Sequence, residues 1–184
     1  MKPVERASIL DYVTYEERRE ALRAEVLAIK APRRVHVGGV LTFLFENTAT
    51  ARYQVQEMVR IERIVREADI QHELETYNEL LGAAGELGCT LLIELDDPAV
   101  RAVKLREWLA LPQHVYARLE DGSKVYARFD ERQVGDERLS SVHYIKFPVG
   151  GRAPVAIGAD HPELTVETRL EPAQRAALVA DLAN

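Results

Sequence analysis

The sequence predicts an α+β fold, a largely antiparallel sheet with a central helix pair packed on it, as a single compact domain over residues 1–184. Three observations predict it. Segments of helical apolar period and segments of two-residue period do not alternate strictly along the chain, as a βαβ winding would require. Several neighbouring strand segments are joined by short turns, which suits antiparallel pairing. The composition, 47% apolar and 29% charged over 184 residues, is that of a globular domain able to bury a core without disulfide staples.

Thr14-Tyr15-Glu16-Glu17 has the spacing of a capping box. It opens a helix to about Lys30 that buries Leu22, Val26 and Ile29, and Pro32 stops it. Strands Arg34–Val37 and Val40–Glu46 follow, joined at Gly38-Gly39, a pair that tolerates positive φ. Asn47 or Thr48 caps a helix from about Ala49 to Glu67, and Asp69 starts another from Ile70 to Leu81. The strand Thr90–Leu95 comes next, and Asp97-Pro98 opens a helix in the favoured cap-then-proline order. Val-Tyr-Ala-Arg occurs twice around Asp121-Gly122-Ser123. A three-residue loop pairs Val115 with Phe129, Ala117 with Ala127 and Leu119 with Val125, all apolar and on one face, so the pattern selects that register. Ser140–Phe147 is a further strand; Ala153–Ile157 and Thr165–Leu170 are weaker, the first placed at an edge by Pro154. Glu171-Pro172 opens a last helix with Ala176, Leu178, Val179 and Leu182 on its apolar side, and residues 150–184 read as a peripheral addition.

The formal charge of −6 excludes a phosphate-backbone partner, because Lys and Arg are dispersed among more numerous carboxylates. Arg18, Arg19 and Arg23 interleave with Glu17 and Glu20 as a solvated helix face. No apolar run approaches the roughly 18 residues that span a bilayer, and Met1–Arg6 lacks the apolar stretch of a signal peptide. The expectation is a cytoplasmic protein with no nucleic-acid or membrane partner. Cys89, the one cysteine, sits in Gly88-Cys89-Thr90-Leu91-Leu92-Ile93 and reads as a structural thiol in a buried strand.

Polar side chains fall where a core is expected. At roughly 100° per residue, Val55, Met58, Ile61, Ile64, Val65 and Ala68 share an arc, with Gln56, Arg60, Arg63 and Glu67 opposite. Gln54, Glu57 and Glu62 lie within or beside that arc, and Glu73 borders the buried stripe of the next helix. A buried carboxylate needs a partner or takes up a proton. Of three readings, one leaves the helix rotated with its carboxylates in water, and one pairs them with arginines such as Arg52 or Arg101 and with backbone at a helix–sheet junction. The other gathers Gln54, Glu57, Arg60, Glu62, Glu73, His143 and His161 into a polar ligand site, with Glu57, Glu62, His143 and His161 as ligands for a divalent metal such as Fe, Mn or Zn. His143 shares its strand face with Ile145 and Phe147 and so points inward; His161 lies on a turn. Glycine-rich phosphate loops, His-Glu-x-x-His and Gly-x-Ser-x-Gly are absent from the sequence.

Phe45-Glu46-Asn47 and Gln56-Glu57-Met58-Val59-Arg60-Ile61-Glu62-Arg63-Ile64 resemble the bacterial domain of unknown function 3501. So do Glu75-Thr76-Tyr77-Asn78, Ser140–Phe147 and Asp160-His161-Pro162, and the resemblance runs from about Asp11 to Leu182. It carries no activity. It implies a redox setting beside rubrerythrin-like or iron–sulfur oxidoreductases. Three expectations follow, of which the first two are a non-catalytic accessory or binding protein that partners a redox enzyme, and a metal- or small-ligand-binding enzyme using the carboxylate–histidine set. A self-associating homodimer is the third.

Overall fold

The structure is a computed structural model and describes residues 1–131, 135 and 137–184. Its helices are α1 (Tyr12–Lys30), α2 (Thr48–Ile61), α3 (Glu67–Asn78), α4 (Pro98–Glu107) and α5 (Pro172–Leu182). Its strands are β1 (Arg34–Val37), β2 (Leu41–Phe45), β3 (Leu87–Ile93), β4 (Val115–Arg118), β5 (Lys124–Tyr126), β6 (Arg128–Phe129), β7 (Val142–Phe147), β8 (Ala156–His161) and β9 (Leu164–Arg169). Among the described residues every strand pairing is antiparallel, in two sheets ordered β1-β2-β3-β7-β6 and β5-β4-β8-β9.

The strand period decides which side chains meet. Leu41, Phe43 and Phe45 of β2, Cys89, Leu91 and Ile93 of β3, and Ile145 and Phe147 of β7 point to one face. They share a buried cluster with Val115, Ala117, Ile157 and Ala159 of the second sheet, with Leu105 and Leu178 of the flanking helices, and with Trp108 just after α4. A second cluster lies apart, where Ala51, Val55 and Val59 of α2 and Ile70 and Leu74 of α3 close over Val4 and Ile9 of the N-terminal segment. That segment is also clamped by two side-chain amides. Gln56 accepts from Leu10 N and donates to Leu10 O, both at 2.9 Å; Asn78 accepts from Val4 N at 2.7 Å and donates to Val4 O at 3.1 Å.

The structure moves several element boundaries. Asp11, rather than Thr14, caps α1: its Oδ1 accepts from Val13 N at 3.1 Å and Thr14 N at 3.0 Å, so the helix begins nearly a turn earlier. Helix α2 stops at Ile61, short of Glu67, in a Schellman turn. Ile64 N donates to Val59 O at 3.0 Å and Arg63 N to Arg60 O at 3.3 Å, with Arg63 at φ 51°. Ile61 and Val65 are consequently exposed, and Gln56, expected on the polar side, is buried. Helix α3 starts at Glu67, three residues before Ile70, and Asp69 pairs with Arg66 instead of capping. Val179 of α5 is exposed.

The hairpin register is also corrected. Tyr116 faces Tyr126, Ala117 faces Val125 and Arg118 faces Lys124, a shift of two from the expected pairing that preserves which residues share a face. The buried Leu119 turns into the core instead of pairing with Val125. The longer loop closes through Leu119 N to Ser123 O at 2.9 Å and Gly122 N to Leu119 O at 3.0 Å. After Ala127, which donates to Val115 O at 2.9 Å, the chain leaves β4, and Arg128 and Phe129 join β7 of the first sheet. Residues 150–184 are integral, not peripheral: β8 lies between β4 and β9, not at an edge, and buries Ile157 and Ala159 completely. Pro154 precedes β8, so the strand's hydrogen bonds survive it.

Candidate ligand-binding cavity

The outward face of the first sheet carries the even-numbered residues of β7, among them Tyr144 and Lys146. Beside them runs the C-terminal end of α3. Between the two lies a cavity of about 620 Å³, within the range of small-ligand sites. Thr76, Tyr77, Glu79 and Leu80 form one wall; Arg128, Phe129 and Asp130, with Tyr144 and Lys146, form the other. Gly88 lets these walls approach, because Leu80 O lies 1.8 Å from where a Cβ on residue 88 would stand.

Arg128 and Lys146 are direct cross-strand partners. Arg128 is ion-paired with Glu86, while no carboxylate pairs with the half-buried Lys146 among the described residues. The Tyr77 phenol is pushed above its ordinary range by burial, then by the charge of Glu73, by Tyr144 and by Glu62; at neutral pH it is a hydrogen-bond donor. Thr76 Oγ1 donates to His72 O at 2.9 Å. Burial, reinforced by Glu46, pushes the Cys89 thiol well up, which leaves it protonated and inert. The cavity can therefore hold a molecule through cation, phenol and aromatic contacts. No activated nucleophile faces it among the described residues.

The side chains singled out from the sequence go elsewhere and do not meet as one set. Glu57 is mostly buried between α1 and α2. It accepts from Tyr15 OH at 2.7 Å, from Arg19 Nε at 2.9 Å and Nη2 at 3.0 Å, and from Arg60 Nη2 at 3.1 Å. Burial alone would raise its carboxyl, but these donors hold it at about 2. Arg19 and Arg60, not Arg52 or Arg101, are thus its partners. Arg101 instead donates to Leu95 O at 2.8 Å. Gln54 and Glu73 are half-buried and Glu62 is exposed where α2 ends. His143 is fully buried with Nε2 bonded to Ser140 O at 2.8 Å and Nδ1 unpartnered. His161 ends β8 rather than lying in a turn; its Nδ1 accepts from Glu163 N at 3.2 Å, and its ring meets that of His114 edge-on at 5.3 Å. Among the described residues, no three His, Cys, Asp or Glu side chains are grouped to hold a metal ion.

Two buried carboxylates carry the polar interior instead. Glu46 accepts from Thr50 Oγ1 at 2.5 Å and Thr90 Oγ1 at 3.0 Å. Asp181 accepts both arms of Arg33. Neither has an amphipathic misfit to reveal it, since each sits at the end of an element. Arg128 and Lys146 were equally hidden, because their adjacency exists only once the chain has crossed between sheets.

These features define an α+β protein of two antiparallel sheets with a ligand-sized cavity at one sheet edge. The chain belongs to the family described as a protein of unknown function (DUF3501), which matches residues 3–182. It is similar to a solved structure of a novel protein of unknown function from Burkholderia pseudomallei K96243, with 34% identity and a TM-score of 0.90, over 98% of this chain and 100% of that one. None of the curated proteins matches it. No helix among the described residues is long and apolar enough to cross a membrane.

Proposed function

We propose that this protein is a non-catalytic binding protein whose ligand occupies the cavity between the end of α3 and the β6–β7 edge. The observation that carries the reading is the cavity itself, at about 620 Å³ with aromatic walls and cation and phenol groups. The resemblance supports a redox setting, and in our reading the binding role serves a rubrerythrin-like or iron–sulfur oxidoreductase partner. The test is a thermal-shift screen of the full chain against a small-molecule library, repeated with Thr76→Trp. Thr76 is exposed on α3 at the cavity wall, so the indole fills space without entering a core. Compounds that raise Tm in the parent and not in the variant support the reading; stabilisation equal in both removes it. Elemental analysis addresses the metal alternative. Stoichiometric iron, manganese or zinc that is lost in Glu57→Ala would replace the binding-protein reading.

A further inference from the structure

We infer that the cavity selects a small organic anion, a carboxylate or phosphate ester on a flat apolar body, with Lys146 as its counter-ion; this rests on the binding reading above. The first support is a like-charge cross-strand pair. Arg128 and Lys146 stand opposite each other in the antiparallel register of β6 and β7, an arrangement that is destabilising unless an anion intervenes. Glu86 neutralises Arg128. For Lys146 the described residues supply no counterpart, and its half-buried position on the cavity wall leaves an anionic ligand to provide it.

The second support is the donor chemistry around that charge. Burial and nearby negative charge keep Tyr77 protonated, so it offers an O–H to an acceptor, and a charge-assisted hydrogen bond to an anion is stronger than one to a neutral group. Leu80, Tyr77 and Tyr144 complete the wall and suit a planar body, while Phe129, opposite Ile145, packs on the core side. Glu79 and Asp130 bring negative charge to the same cavity. Asp130 has an interaction of its own and Glu79 is exposed. They oppose a polyanion and restrict the ligand to one anionic group, seated at Lys146.

The test uses three isosteric probes on the full chain, benzoate, benzamide and benzamidine, followed by amide chemical shifts at millimolar concentration. Benzoate should shift the amides of β6, β7 and the end of α3 and bind about tenfold more tightly than benzamide. Lys146→Gln should abolish that preference, Lys146→Arg should retain it, and Thr76→Trp should block all binding. Benzamide or benzamidine binding as well as benzoate, with Thr76→Trp still blocking, overturns the anion assignment and leaves the cavity as a binding site. Shifts that Thr76→Trp does not alter, or no cavity shifts with any probe, overturn both.

Discussion

Arg33 and Asp181 form a bidentate ion pair, Nε to Oδ2 at 2.7 Å and Nη2 to Oδ1 at 2.8 Å, across 148 positions of sequence. Both side chains are nearly closed to solvent, at 11% and 5% exposure. Asn47, the cap of α2, donates to the same Asp181 Oδ1 at 3.2 Å. One carboxylate therefore ties α5 to the turn after α1 and to the start of α2. Asp181→Ala strands a buried guanidinium, which costs about 3–5 kcal/mol. Urea denaturation should show that loss, and the double variant Arg33→Met/Asp181→Leu should recover most of it. A loss below about 1 kcal/mol would place the pair among surface bridges.

Glu57 sets an acid limit on the α1–α2 contact. Its carboxyl lies at about 2 against an ordinary 4.5, so the folded state binds the proton more weakly than the unfolded chain. The stabilisation is complete above 4.5 and is lost as pH falls toward about 2. At full strength a shift of that size is about 3–4 kcal/mol, and solvent screening of the partly exposed arginines reduces it to roughly 2–3 kcal/mol. Glu57→Gln should lower stability at neutral pH and flatten its dependence across that acid window. Parallel stability–pH curves for parent and variant would contradict the assignment.

His143 acts in a higher window with the same sign. Burial lowers its pKa, only partly opposed by the bond to Ser140, so the unfolded chain takes the proton more readily. Stability should rise with pH up to about 6.5, the unperturbed value, and fall below it. His161 shifts in the same direction, through burial and then His114, so the difference between parent and His143→Leu isolates the one group. The variant should lose part of the slope between about pH 7 and 5; an unchanged slope excludes His143 as its source.

What the sequence made legible, and what it hid, follows from how local each determinant is. The buried placement held for Cys89 because its strand is apolar and buried nearly throughout, and the inward one held for His143 because Ile145 and Phe147 share its strand face. The inward assignment also held for Glu57. It failed for Glu62, because the helix ends at Ile61 in a turn with an arginine where glycine is the usual marker. Val125-Tyr126-Ala127-Arg128-Phe129 reads as one strand. Its division between two sheets depends on whether Val115 or Ile145 is the partner, which only the tertiary fold decides. Gln56 and Asn78 look like solvated helix residues, since the N-terminal backbone they clamp carries no sequence signal.

Arg63 gives a prediction of opposite sign. It occupies the left-handed position of the Schellman turn at φ 51°, where a side chain bearing Cβ is disfavoured and glycine is not. Glycine's greater freedom in the unfolded chain offsets part of that relief. Arg63→Gly should therefore stabilise the protein by about 0.5–1 kcal/mol, read as a raised urea midpoint at unchanged m-value. Destabilisation would mean that the guanidinium makes contacts worth more than the backbone strain.

Gly158 lies beneath the ring of Tyr116. A Cβ there would stand 2.6 Å from Val166 O and 2.7 Å from Tyr116 Oη. The carbonyl belongs to the β8–β9 ladder and cannot retreat without breaking it. The phenol is held by Glu167 Oε2 at 2.8 Å, with Lys124 Nζ 4.1 Å from the ring centroid. Overpacking of this kind costs about 1–3 kcal/mol, so Gly158→Ala should lower stability by that amount. Combining it with Tyr116→Ala separates the two contacts. If the phenol is the obstacle, the pair should cost less than the sum of the single changes; if the carbonyl is, the two costs should add, because the backbone clash survives removal of the ring. The carbonyl contact is the shorter and the less yielding, so near-additivity is the expected result.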